Sequence, residues 1–119
     1  VEKRTRTSGA LELEIVAEPT RIVIQAVGEL DLASQVLLAR ELARAEANPE
    51  VTEIVLDLAG LTFMDSSGLN VVIQAHARSQ ASQNRLRIRA ARNHVAHVLD
   101  IAGVIESLSA DGTLVIVHS

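Results

Sequence analysis

Two hydroxyls follow a carboxylate in the run Thr62-Phe63-Met64-Asp65-Ser66-Ser67-Gly68-Leu69. The run is preceded by an apolar stretch with Ile54, Val55, Leu56 and Leu58, and followed by Leu69, Val71, Val72 and Ile73, which begin a helix. This places both serines in a polar turn at a helix N-terminus. Unpaired backbone N–H groups give such a turn partial positive charge, which orients a hydroxyl and tolerates a phosphate on it. Asp65 adds a fixed negative charge beside them. The same residues also have a structural explanation, since Ser or Asp ahead of a helix is ordinary capping chemistry contributing about 1 kcal/mol.

Other constellations are weaker. Ser66, Asp100 and His118 fall in the order of a serine hydrolase triad, but a nucleophile elbow needs small residues on both sides of the serine. Gly68 supplies one; Met64 occupies the other position, and His118 is the penultimate residue, where fraying would spoil a general base. His94 and His97, three apart on an expected helix, lack an evident third ligand for a metal. His76 has no identifiable partner. Arg85, Arg87 and Arg89 project from one face of an expected strand and could receive an acidic partner or RNA. The bland reading is a charged strand face that resists edge aggregation, with Glu12 and Glu14 opposite if the strands are neighbours. A P-loop ATPase is excluded because Lys3 is the only lysine and stands nowhere near a glycine loop.

Composition narrows the field. A chain of 119 residues, 48% hydrophobic and 22% charged, holds one folded domain. Phe63 is the sole aromatic residue, so there is no stacking platform for nucleic acid, and the net charge of -4 opposes non-specific binding to phosphate backbones or anionic membrane. With no cysteine, thiol catalysis, disulfides and thiolate zinc sites are out. No apolar run approaches the roughly 18 residues of a membrane span, and the N-terminus has no signal-peptide core, so a soluble, cytoplasmic protein is expected. The chain starts at Val rather than Met, as a trimmed or processed chain would.

The elements that must position the turn can be read in order. Residues 1–10 lack periodicity and read as a flexible basic arm ahead of a domain spanning 11–119. Residues 11–16 alternate as a strand with one wet face, and 21–28 read as a second strand, close enough to pair with the first as a hairpin. A helix capped by Ser34 is expected to run to about Ala47, with Leu38, Leu42 and Ala45 inward and Arg40, Glu41, Arg44 and Glu46 outward; Asn48-Pro49 stops it. Residues 53–58 form a third, central strand, covered on both faces and parallel to a neighbour. After the serine turn and its helix come a strand at 85–90, a helix ending before Gly103 and a final strand from Thr113. The pattern predicts an α/β domain with a mixed sheet of four or five strands flanked by helices.

The runs GELDLAS at 28–34, VLDLAGLTFMDSSGL at 55–69 and VLDIAGV at 98–104 occur together and in order. They resemble the bacterial anti-sigma-factor antagonists of sporulation and stress signalling, within the STAS-domain family. The resemblance covers about residues 11–108; the further amphipathic helix with which relatives usually close has no counterpart here. It reverses the weighting at the serine turn. It implies a monomeric cytoplasmic protein without catalysis, metal or cofactor, which binds an anti-sigma factor with serine kinase activity and so releases a sigma factor. Ser66 is then the phosphoacceptor, restored by a separate serine phosphatase. Asp31, Asp65, Ser66, Ser67, Gly68 and Leu69 form the partner-binding surface. The alternative within the family is a scaffold component of a stress-signalling assembly or a regulatory domain of a transporter.

Overall fold

The structure, a computed structural model, describes residues 1–91 and 114–117. Alternation builds the first paired strands. Leu11, Leu13 and Ile15 of β2 (Leu11–Ala17) are buried and meet Ile22, Ile24 and Ala26 of β3 (Arg21–Leu30) across an antiparallel pairing that sets Ile15 against Ile24. The expected hairpin is therefore present. From β3 the chain runs through α1 (Gln35–Ala47) to β4 (Glu53–Met64), and through α2 (Ser66–Gln80) to β5 (Arg85–Ala91), with β3, β4 and β5 parallel. β6 (Leu114–Val117) adds parallel to β5, as the β-branched tail suggested.

Two strand expectations change. Residues 2–8, read as a flexible arm, form β1 (Glu2–Ser8), antiparallel to β2. The sheet thus has six strands in sequence order from β1 to β6, more than the four or five expected. The connection from 59 to 64, read as a spacer, continues β4 as far as Met64.

One core fills the space between the sheet and the helices. Leu38, Leu42 and Ala45 of α1 and Val71, Val72 and Ala75 of α2 pack with Ile54, Leu56 and Leu58 of β4 and Leu86 and Ile88 of β5. Both described helices lie on this face because each right-handed crossover advances along the sheet in the same direction. β4 is covered on both faces, as expected, though α1 and α2 account for only one of them. Val55, on the other face, is buried instead beside Arg21, Arg87 and Arg89.

Three details of the charge pattern also differ. Glu41 is buried rather than outward, 3.6 Å from Arg4 and 3.6 Å from Arg44. Glu12 and Glu14 oppose Thr7 and Thr5, not the β5 arginines, since β3 and β4 intervene. β6 pairs only with Ile88–Ala91, so Arg89 is interior, whereas Arg85 and Arg87 lie on a length of β5 that no described strand flanks on its outer side. The expected helix before Gly103, with His94, His97 and Asp100, lies outside the described residues, as does His118.

Candidate functional site

The serine turn sits where two parallel strands end side by side. Leu30 pairs with Met64, and the Asp65 N–H still donates to the Leu30 carbonyl at 3.2 Å. The next residues, Asp31 and Asp65, therefore leave the sheet as neighbours, each starting the turn into a helix. Ligands and partners of open α/β sheets gather at this carboxyl end of the strands.

Asp65 caps α2, so the helix begins at Ser66, three residues ahead of Leu69 where the sequence suggested. The Asp65 Oδ1 accepts from the Ser67 N–H at 3.0 Å, the Gly68 N–H at 3.1 Å and the Ser67 hydroxyl at 2.5 Å. The Ser67 hydroxyl is tied to this carboxylate. Ser66 is exposed, with no hydrogen bond from its side chain among the described residues. Gly68 is buried, and a Cβ there would stand 2.7 Å from Leu30 Cγ and 3.0 Å from Met64 Cγ. Only glycine lets α2 approach the two strand ends this closely. Leu69 is half-buried against the core, one residue further on.

Asp31 forms a reciprocal pair with Ser34. Its Oδ1 accepts from the Ser34 N–H at 2.9 Å, while its own N–H donates to Ser34 Oγ at 3.0 Å. This is a capping box that opens at Asp31, four residues ahead of the start of α1, and the Gln35 N–H closes the turn on the Asp31 carbonyl at 2.8 Å. Ser34 stands at the cap position but makes no side-chain cap; its buried hydroxyl turns back to Glu29 and Asp31.

Both carboxyls are held below their ordinary value. For Asp31 the cause is chiefly the Ser34 backbone N–H and then its hydroxyl, opposed by desolvation and, less, by the charge of Asp65. For Asp65 it is chiefly the Ser67 hydroxyl, followed by the Gly68, Ser67 and Leu32 amides, against a desolvation that raises it. Two ionised carboxylates thus stand at the neighbouring strand ends at neutral pH, Asp65 directly ahead of Ser66. Around them Leu32 is 71% exposed, with Val36 and Phe63 also exposed.

Chemically the site offers an exposed hydroxyl, and no hydrogen bond joins it to a base among the described residues. Asp65 is committed to its cap, and His76 lies ten residues along α2, about 15 Å down the helix axis. Among the described residues no non-glycine has a positive φ, so Ser66 does not stand on a strained nucleophile elbow. No cluster of three or more potential metal ligands occurs among them either. Leu32 was missed by the sequence reading: a leucine between Asp31 and the helix looks like core by residue type alone. The signal was its place inside a capping box, whose middle residues face outward.

A mixed sheet with helices after successive parallel strands, and an aspartate-capped helix bearing an exposed serine at the strand ends, describes a class of small α/β domain. Residues 12–115 match the STAS domain, and the chain belongs to that family. It is 39% identical over 62 residues to an anti-sigma F factor antagonist of Lysinibacillus sphaericus, a match spanning 52% of this chain and 52% of that protein. The chain thus spans about half the length of that relative. It is 25% identical over 96 residues to an anti-sigma F factor antagonist of Paenibacillus polymyxa, covering 81% of this chain and 82% of that one. In fold it resembles the anti-sigma factor antagonist SpoIIAA in its unphosphorylated form, with a TM-score of 0.71, 24% identity and coverage of 91% and 88%. No described helix is long and apolar enough to cross a membrane.

Proposed function

We propose that this protein is an anti-sigma-factor antagonist that works by binding alone. In the cytoplasm it docks on an anti-sigma factor with serine kinase activity through Asp31, Asp65, Ser66, Ser67, Gly68 and Leu69, and a sigma factor is released. The kinase phosphorylates Ser66 and ends the interaction; a serine phosphatase restores it.

The observation that carries this reading is the division of labour between the two hydroxyls. Ser67 is held by Asp65, whereas Ser66 is exposed and unbonded, free to enter another protein's active site. A phosphoryl group adds about -1.5 to -2 charges. Next to the carboxylates of Asp31 and Asp65 this roughly doubles the local negative charge, and any partner surface that accepts a neutral hydroxyl there meets repulsion and a desolvation cost. No refolding is needed, because Ser66 bears none of the cap.

The test is incubation of wild type, Ser66→Ala and Ser67→Ala with the partner kinase and ATP, followed by peptide mass spectrometry and calorimetric binding. Phosphate is expected on Ser66 alone. Ser66→Ala should stay unlabelled and bind persistently, and Ser66→Asp should bind weakly. Phosphate on Ser67, or undiminished labelling of Ser66→Ala, would overturn the assignment.

A further inference from the structure

The sheet face turned away from α1 and α2 carries a concentration of arginine unlike the rest of this acidic chain. The register sets Arg21, Glu53 and Arg85 in one row, Val23, Val55 and Arg87 in the next, and Gln25, Asp57 and Arg89 in the third. Arg21, Arg87 and Arg89 line a cavity of about 140 Å³ against Val55, which is only 1% exposed. One carboxylate serves two of the guanidiniums: Glu53 lies 3.2 Å from Arg21 and 3.7 Å from Arg87. Arg89 has no ion pair among the described residues, and its register neighbour Asp57 uses Oδ1 to accept from the Ala59 N–H at 2.9 Å. The Arg87 Nε is buried without a hydrogen-bond partner.

Across these three rows Arg21, Arg85, Arg87 and Arg89 stand against Glu53 and Asp57, a balance of +2 (4 − 2) among the described residues, in a chain whose total is -4. Protection of a sheet edge does not account for Arg89, which β6 flanks, or for Arg21, which β4 pairs. Packing over Val55 explains the arginine stems but not the surplus charge or the unused donor. We propose that this cavity is a binding site for a small polyvalent oxyanion, bearing a phosphate or a carboxylate group. Guanidiniums present paired N–H donors in a planar fork that matches two oxygens of such a group. The cavity is smaller than the roughly 300 Å³ at which pockets for whole organic ligands begin. It therefore receives the anionic group and leaves the remainder of any ligand outside.

The site is remote from Ser66. Arg21 opens β3 and Leu30 closes it, so along the strand the cavity and the serine turn are separated by about 20 to 30 Å and they lie at different ends of the sheet. Occupancy here does not depend on the proposed function at Ser66.

The experiment is calorimetric titration of the intact chain with sodium pyrophosphate and, separately, sodium malonate at fixed ionic strength. Saturable one-to-one binding of at least one anion is expected, and which one binds identifies the preferred group. Arg89→Gln and Arg87→Gln should each weaken it by about tenfold or more, the loss of a charge-assisted contact. Arg6→Gln, which removes an exposed arginine on β1, should leave it unchanged. Should Arg87→Gln disturb the fold by releasing Glu53, Arg89→Gln still decides, since no ion pair is lost with it. Absence of saturable binding by both anions, or an equal loss in Arg6→Gln, would overturn the proposal.

Discussion

Removing the carboxylate of Asp65 should cost more stability than removing either serine beside it. The Oδ1 atom accepts three hydrogen bonds, two of them from first-turn amides that have no other helical acceptor. Loss of such a cap costs about 1 kcal/mol and up to about 2. Loss of a negative charge at a helix N-terminus adds about 0.3 to 1 kcal/mol. Asp65→Ala should therefore destabilise by about 1.5 to 2.5 kcal/mol. Asp65→Asn keeps a neutral acceptor and should lose about 0.5 to 1 kcal/mol, mainly the charge contribution. Ser67→Ala removes one donor to that oxygen and should cost about 0.5 to 1 kcal/mol. Ser66→Ala should fall within about 0.5 kcal/mol of wild type, because its hydroxyl contributes no contact.

Urea unfolding at pH 7 followed by circular dichroism measures the series, with an unchanged denaturant slope confirming that the denatured state is the same. A pH series adds a second check. Folding holds the Asp65 carboxyl below its ordinary value, so its stabilisation is complete above the unfolded value and is lost as pH falls through the folded one. The advantage of wild type over Asp65→Asn should stay level from pH 7 to about 5 and shrink below about 4. A Ser66→Ala variant as unstable as Asp65→Ala, or an advantage over Asp65→Asn that widens on acidification below about 4, would refute the assignment of the cap.

Two further perturbations test the packing around the site and its support. Gly68→Ala puts a methyl 2.7 Å from Leu30 Cγ and should destabilise by about 1 to 3 kcal/mol in thermal or urea unfolding, by overpacking rather than by backbone strain. Arg4→Ala leaves the buried Glu41 with Arg44 alone and should cost about 1 to 2 kcal/mol, with amide exchange in residues 2–8 accelerating before the rest of the sheet. Glu41→Leu, which removes the charge, should be neutral or stabilising on the same urea assay.

The elements around the site were legible wherever a face is buried. Leu11, Leu13 and Ile15 alternate because β2 has one wet side, and Leu38, Leu42 and Ala45 repeat because α1 has one dry stripe. β1 escaped notice because its strand character comes from pairing, not from its own apolar pattern: Glu2, Lys3, Thr5, Arg6 and Thr7 are exposed. The missed signal was its turn. Gly9, at φ +58°, and Ala10 link Ser8 to Leu11 in a two-residue hairpin loop whose first central position favours glycine. Missing β1 led directly to the error over Glu41. That residue lies three after Leu38 and four before Ala45, within the dry stripe by helical period, and it is an outward residue only if nothing covers that end of α1.

The serine turn shows a different limit. Asp-Ser-Ser-Gly is compatible with a cap by either residue type, and spacing alone does not say which. The choice is made where β4 stops, because the last strand hydrogen bond, from the Asp65 N–H to the Leu30 carbonyl, fixes Asp65 as the first residue outside the sheet. With Asp65 held there, its carboxylate reaches the amides two and three residues on, and Ser66 falls on the outer side of the first turn. Had β4 ended one residue later, Ser66 would be the cap and its hydroxyl would be occupied. The extension of β4 beyond residue 58 to Met64, which the apolar run did not reveal, is thus what leaves one of the two hydroxyls free.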